Sequence, residues 1–438
     1  MLLNNSLIQK SSLIAFLIAS IFLSTNSCEL NKEEPFYQNP EWASQLIIAY
    51  KTFNKDRNQR SADLVFNATE QMPKKNWENY FVCAIVYAES ESVEKAFLSI
   101  DRAIEYGLRD VELLENMPEF SSLKSSPKWE QVISKVENRQ NEYLSNIKNP
   151  ALFKELQMLW AEDQKALSTY EYEVSKLDST ATLKDYDRLF EPVETRWQTN
   201  RRKLDSIVTI YGWPGNRLVG EDGAKIAWSI AQHHPNVFFK KKCLALIQKA
   251  MKEGDADPNH YAELNDRIAR ETWQKQTFGA SMGELSPYPI KNVAEVNKRR
   301  IALGLYEPVE VYALYHGIDY SIPDSEEVDS LDQLAQTNYH NFEQLYFNGK
   351  ADSAVVLLRK AIKAHGAITN DQLFSAALKL AQTRNTSYEN LTVQILKVLI
   401  WREWKNRFDI LKHPEFKTML SGSKWSEIKN LLNESEQL

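Results

Sequence analysis

Five residues in the middle of the chain have the types that proton-transfer chemistry requires: Asp163, Glu221, Asp222, His233 and Asp266. A histidine beside a carboxylate is the usual pair for moving protons near neutral pH, and several carboxylates with a histidine can also hold a metal. Gln232, Arg267 and Trp213 stand beside them as candidate binding residues. Each of the five also has an architectural use. Asp222 can cap a helix, Glu221 favours the positive end of the same helix, and Asp266 and Arg267 can be ordinary helix-surface charges. His233 can be a core histidine satisfied by a single carboxylate. No Cys/His spacing resembles a zinc site, and no nucleophile elbow, phosphate loop or dinucleotide fingerprint occurs, so the sequence names no metal and no cofactor. Cys243 follows three lysines that would lower a thiol pKa, but it lies in an apolar row with Ile247 and Met251 that predicts packing.

The segment that must position most of these residues runs from 212 to 234. Gly212 closes a preceding helix and Pro214 keeps it from resuming. A turn follows, with Asp222 as the expected cap of the next helix. On that helix Ile226, Ile230 and His233 share one face, which predicts His233 near the Asp163, Asp266 or Glu221-Asp222 carboxylates. Pro235 ends the helix. Next come a helix from 236 to 253, with Asn236 as cap and Gly254 as terminator, and another opened by Asp257-Pro258. Upstream, Leu152, Leu156, Leu159 and Trp160, and then Val193, Trp197, Leu204, Ile207 and Val208, keep helical spacing. No alternating strand pattern is present.

The flanks are repetitive. Tyr80, Cys83, Ala84, Tyr87, Ala96, Ile100 and Ala103 fall at large, small and aromatic positions similar to those of a tetratricopeptide repeat. A shift of 34 residues finds Leu46, Ala49, Tyr50, Phe53, Ala62 and Phe66 in matching places. Pro118-Glu119-Phe120, Lys128-Trp129, Val132 and Val136 recur near the other end as Pro414-Glu415-Phe416, Lys424-Trp425, Ile428 and Leu432, without a gap. Such a segment resembles the capping element that closes arrays of this kind. Ala354, Leu358 and Ala361 occupy repeat positions upstream of the second copy.

The resulting expectation is an all-α chain. Residues 1–27 form a signal peptide, 28–40 a tether, 41–145 a tetratricopeptide-like repeat module with its cap, 149–319 a mainly helical central domain, and 331–438 a second capped module. Lys10, the apolar run Leu13 to Leu23 and Ser27-Cys28 resemble a bacterial lipoprotein signal, which implies a lipid on Cys28 and anchorage in the outer membrane of a Gram-negative bacterium. Lys32-Glu33-Glu34 resembles the acidic tether that sends some lipoproteins to the cell surface. Among 438 residues, 43% hydrophobic and 26% charged side chains suit well-filled cores with a soluble exterior. A net charge of −6 gives no reason to expect nucleic acid.

Asp163-Gln164, Gly212-Trp213-Pro214, Gly220-Glu221-Asp222-Gly223-Ala224, Ala227-Trp228, Gln232-His233, Asp266-Arg267, Tyr288-Pro289-Ile290, Arg299-Arg300 and Leu303-Gly304-Leu305 come in a characteristic order. In this the middle of the chain resembles the bacterial domain-of-unknown-function family 6624. Phe278-Gly279-Ala280-Ser281 departs from the family's usual Tyr-Gly-Thr-Gln, and His234-Pro235 from its commoner Ala-Asp. The resemblance carries no established activity. Two functions follow as expectations: a lipid-anchored scaffold whose modules hold a protein or peptide partner on stacked helix pairs, and a hydrolase-type enzyme with its acid/base or metal cluster in the centre.

Overall fold

The computed structural model describes residues 39–178, 181–284, 286–323 and 325–436. The expected signal peptide, Cys28 and the Lys32-Glu33-Glu34 tether lie outside them. The chain is all-α, and the described residues outside helices form two isolated β-bridges, Gln276 with Ile290 and Met282 with Pro287.

The first repeat module is two antiparallel helical hairpins, α1 (Glu41–Lys55) with α2 (Gln59–Gln71), and α3 (Trp77–Glu89) with α4 (Val93–Glu105). Asn58 and Ser61 close a capping box at the start of α2, and the Asn76 side chain accepts from the Asn79 amide at the start of α3. The small residues Ala62, Ala84, Ala96 and Ala103 are fully buried between helices, as their spacing predicts. Helix α3 is buried on every side from Glu78 to Ala88, so a second partner must cover the face its hairpin leaves open. Helices α5 (Val111–Asn116), α6 (Ser121–Lys124) and α7 (Pro127–Ser145) then close the array, with Phe120 and Leu123 sealed inside.

The centre opens with a long antiparallel pair, α8 (Pro150–Val174) and α9 (Leu183–Tyr211), followed by α10 (Asn216–Gln232), α11 (Val237–Lys252) and α12 (Pro258–Glu271). The Asn236 side chain caps α11, and the Asp257 side chain caps α12 by accepting from the Asn259 amide. Helix α10 starts earlier than the sequence suggests and breaks at Gly220, where φ is 70° and ψ 168°. Any side chain at Gly220 would collide with the Tyr143 hydroxyl, so glycine is required by both conformation and space. A loop leads to α13 (Val296–Leu303) and α14 (Val309–Tyr315). Helix α14 supplies the cover that α3 needs. Val311, Leu314 and Tyr315 join the apolar core of the first module, and the Tyr315 ring meets Tyr50 edge-on at 4.8 Å.

The second module pairs α15 (Ser325–Phe347) with α16 (Ala351–Ile362) and α17 (Asn370–Gln382) with α18 (Glu389–Trp401), and ends in α19 (Pro414–Met419) and α20 (Gly422–Glu434). It holds the centre through its apolar core, which takes in Phe238 of α11, and through polar contacts. Arg402 donates to the Thr272 carbonyl at 2.7 Å and the Trp273 carbonyl at 2.6 Å, and Asn236 Nδ2 donates to Glu434 at 2.7 Å.

Candidate functional site

The structure scatters the five carboxylate and histidine candidates. Asp163, on α8, accepts from Asn200 Nδ2 of α9 at 3.0 Å. Glu221 and Asp222 both bind one guanidinium nitrogen of Arg109, at 3.1 and 2.9 Å, and Arg109 lies over the Tyr143 ring at 4.0 Å. The expected Asp222 cap is therefore an inter-unit ion pair, because the Gly220 break has already reset the helix start. Asp266, fully buried on α12, accepts from the amides of Thr277, Phe278 and Ala280 at 2.7, 2.9 and 2.9 Å and from Asn265 at 3.0 Å. It folds the turn that follows α12. His233 is exposed and stacks on Trp197, with ring centroids 6.2 Å apart. No hydrogen bond or ion pair among the described residues joins the His233 ring to Asp163, Asp266 or the Glu221-Asp222 turn, but Trp197, on which it stacks, also bonds the Asp163 carboxylate. Trp213 is buried with its indole nitrogen unpartnered, Gln232 is half-buried, and Arg267 Nε donates to Glu271 at 2.9 Å.

A different set of polar side chains does converge. Helices α10 and α12 run parallel, because each is antiparallel to α11. Their starts are tied where the Asn216 amide donates to the Asp255 carbonyl at 2.9 Å. Glu221, Lys225, Trp228 and Gln232 repeat at spacings of four, three and four on α10 and so share one face. His260, Glu263, Arg267 and Glu271 do the same on α12. The two stripes meet where the Trp228 and His260 rings stack, with centroids 4.8 Å apart and planes 18° from parallel. His260 is 2% exposed, and the other seven are half-buried and in touch with water.

Three neighbours complete this strip near the N-terminal ends of the two helices. Glu78, 4% exposed, comes from α3 of the first module; Asp257 is the α12 cap; and Tyr312 of α14 donates to Glu263 Oε1 at 2.9 Å. Arg300, 1% exposed, lies over the Tyr312 ring at 5.1 Å and donates to the Glu307 and Phe278 carbonyls at 2.7 and 2.9 Å. Burial dominates the ionisation of the group. It pushes the carboxyls of Glu78 up to about 8, Glu263 to about 7 and Asp257 to about 6. It lowers the Lys225 ammonium against the pull of Glu78, Asp222, Glu263 and Asp257, and brings His260 down to about 3, helped by the Lys225 charge. Several buried atoms have no partner among the described residues: Glu78 Oε1, both His260 nitrogens, Trp228 Nε1 and Arg300 Nη2. Bare buried polar atoms cost about 1–3 kcal/mol each and are rare in folded proteins, so their concentration here singles out this strip as the candidate site.

At the far end the strip turns basic. The Lys240 ammonium, 1% exposed, donates to both Glu271 oxygens at 2.6 and 2.5 Å, and burial lowers it to about 8. Arg267 shares that carboxylate, and Arg270 lies over the Tyr288 ring at 5.3 Å. Two half-buried guanidinium groups and one buried ammonium thus surround one carboxylate. Sequence reasoning named Glu221, Gln232 and Arg267 but passed over Lys225, His260 and Glu263. The signal for them was available as the two polar stripes. Glu78 gives no such signal, because it reads as an ordinary first-turn acid in an apolar helix.

This arrangement defines an all-α protein in which helical-hairpin repeats brace a central helical unit. Residues 192–321 of that chain match the model of DUF6624, a family of unknown function. The matched segment contains α10 to α14, and with them both stripes, while Glu78 and Arg109 come from outside it. No curated protein and no solved structure matches the chain.

Proposed function

We propose that the chain is a hydrolase-type acid–base enzyme whose site is the strip between α10 and α12, completed by Glu78. The observation that carries this reading is the gathering, around the Lys225 amine, which makes no ion pair with the described residues, of carboxyl groups from two separate units that burial holds above the usual carboxylate range. Environments that hold carboxyls in different protonation states assign acid and base roles. Glu78, protonated at neutral pH, gives its proton to the leaving group. Glu263, oriented by Tyr312, takes one from the attacking water. The water oxygen bonds to the electrophilic carbon or phosphorus as the bond from that atom to the leaving group breaks. The test is turnover of p-nitrophenyl esters, phosphoesters and glycosides and of amino-acid p-nitroanilides by the full chain. Cleavage of at least one, lost about 100-fold or more in Glu78→Gln and Glu263→Gln, supports the reading. Cleavage unchanged by both substitutions, or of no substrate, counts against it.

The flanking arrays are read as tetratricopeptide-like modules. The first holds α14 of its own chain on the face that a partner would occupy. The second supports the scaffold reading, with a protein or peptide partner, because Leu331, Leu334 and Phe347 of α15 stand 54, 57 and 73% exposed. Cys28 is proposed as a lipidated residue that anchors the protein to the outer membrane of a Gram-negative bacterium. Mass spectrometry of the membrane fraction should find an acylated Cys28 at the mature terminus, and an intact Met1 would refute this.

A further inference from the structure

We infer that Lys225 is a nucleophilic lysine that captures a small aldehyde or ketone as a protonated imine. None of the hydrolytic steps above uses this amine. Lys225 stands among carboxyls that are committed elsewhere. Glu221 and Asp222 precede it on α10 by four and three residues, the spacings at which a helix pairs an acid with a lysine. Both go to Arg109 instead, at 3.1 and 2.9 Å. From α12, Glu263 Oε1 accepts the Tyr312 hydroxyl at 2.9 Å, and Asp257 accepts from the Asn259 amide and side chain at 2.8 and 3.1 Å. Glu78 of α3 acts on Lys225 across the boundary between the two units. The amine is left without a hydrogen bond or ion pair among the described residues.

A lysine kept for structure looks different. Lys240 is 1% exposed, and its ammonium grips both Glu271 oxygens at 2.6 and 2.5 Å. Lys225 is half-buried and its Nζ reaches solvent, whereas Glu78 Oε1, Trp228 Nε1 and both His260 nitrogens are sealed. A small carbonyl compound can therefore approach the amine from water. An amine attacks a carbonyl as the free base, and burial moves Lys225 toward that form. Glu78, Asp222, Glu263 and Asp257 pull the other way. Burial keeps Glu78 and Glu263 protonated over part of the neutral range, which weakens that pull. In the reaction the nitrogen lone pair bonds to the carbonyl carbon as the carbonyl π pair moves to oxygen, which takes the Glu78 proton. Ionised Glu263 removes one proton from nitrogen. The nitrogen lone pair then expels the hydroxyl group, which leaves as water with the proton returned by Glu263. The product is a protonated imine, and no oxidant or reductant is consumed.

The experiment is reductive trapping. The full chain is incubated with acetaldehyde or pyruvate and sodium cyanoborohydride, and the adducts are mapped by mass spectrometry of its peptides. At pH 7 Lys225 should be labelled about tenfold or more faster than the exposed Lys242 and Lys252, since each unit of lowering gives about ten times more free amine. Labelling of Lys225 should level off as pH rises while that of Lys242 keeps increasing. The preference should vanish in concentrated urea, where every lysine is solvated alike. Because the rates are compared among lysines of the unaltered chain, no variant has to fold. Labelling of Lys225 no faster than Lys242, parallel pH profiles, a preference that persists in urea, or labelling of Lys74 in its place overturns the inference. The two readings fail separately: capture at Lys225 with no chromogenic substrate cleaved leaves the nucleophile standing without the hydrolase. Cleavage sensitive to Glu78→Gln with Lys225 unlabelled does the reverse.

Discussion

Asp266 and His260 lie on the same helix, less than two turns apart, and both are buried. Asp266 accepts three backbone amides and a side-chain amide, so its carboxylate has a full set of partners. His260 has none at either nitrogen. Burial is equally costly for both in principle, and the difference lies in what repays it. For Asp266 the protein itself does so by folding a turn around the carboxylate. For His260 none of the described residues does, which is what a residue placed for a ligand would show. The comparison separates architecture from function more sharply than residue type does, since by type Asp266 was the stronger candidate.

The largest effect should come from the satisfied residue. Asp266→Ala leaves three buried amides without an acceptor and should cost about 3–5 kcal/mol in chemical denaturation. A loss under about 1 kcal/mol would mean that the turn does not depend on the carboxylate, and the contrast with His260 would fail.

The two caps give a second, smaller contrast, and show how far the sequence could be read. Their identical spacing predicts one fold, and both lysines do reach back to a glutamate one repeat earlier, Lys128 to Glu94 at 2.7 Å and Lys424 to Glu389 at 2.6 Å. The depth of the tryptophans was not legible. Trp129 is buried and meets Phe120 at 6.0 Å, whereas Trp425 is half-buried. Trp129→Ala should therefore cost about 3–5 kcal/mol and Trp425→Ala distinctly less; equal losses would contradict the packing. The same limit applied in the centre. Periodicity located α10, α11 and α12 because it is a local property. The partner of each polar residue depends on which helix comes to lie opposite, and nothing near Glu78 in the sequence announces that α14 will carry the central unit onto α3. Likewise the ring partner of His233, Trp197 of α9, is not announced by the helical spacing of Ile226 and Ile230.

The unsatisfied residue should behave in the opposite way. His260→Phe keeps a planar ring against Trp228 and removes two bare buried nitrogens, so stability should stay within about 1.5 kcal/mol of the parent or rise. Turnover should be lost in the same variant. A large loss of stability would make His260 architectural after all.

The last prediction uses pH to read both kinds of group in one titration. Burial raises Glu78 from an ordinary 4.5 to about 8 and lowers His260 from 6.5 to about 3. Between 4.5 and 8 Glu78 is protonated in the folded chain and ionised in the unfolded one, so the folded state binds more protons and stability falls as pH rises. Between 3 and 6.5 His260 is neutral when folded and charged when unfolded, so stability rises with pH. The two slopes oppose one another from 4.5 to 6.5; above 6.5 the His260 contribution is complete, and towards pH 8 Lys240, lowered from 10.5 to about 8, begins to add a rise of its own. Each group contributes at most one proton, about 1.4 kcal/mol per pH unit. Glu263, raised to about 7, adds to the fall at the lower edge of that window. Denaturation midpoints should therefore decline from pH 7 to pH 8 in the unaltered chain and flatten in Glu78→Gln. His260→Phe should make the change between pH 5 and 6 less positive than in the unaltered chain, with His233, His234 and His365, each lowered to about 4, still adding a rise there. An unchanged decline in Glu78→Gln would show that this carboxyl is not held protonated, and would remove the acid from the proposed site.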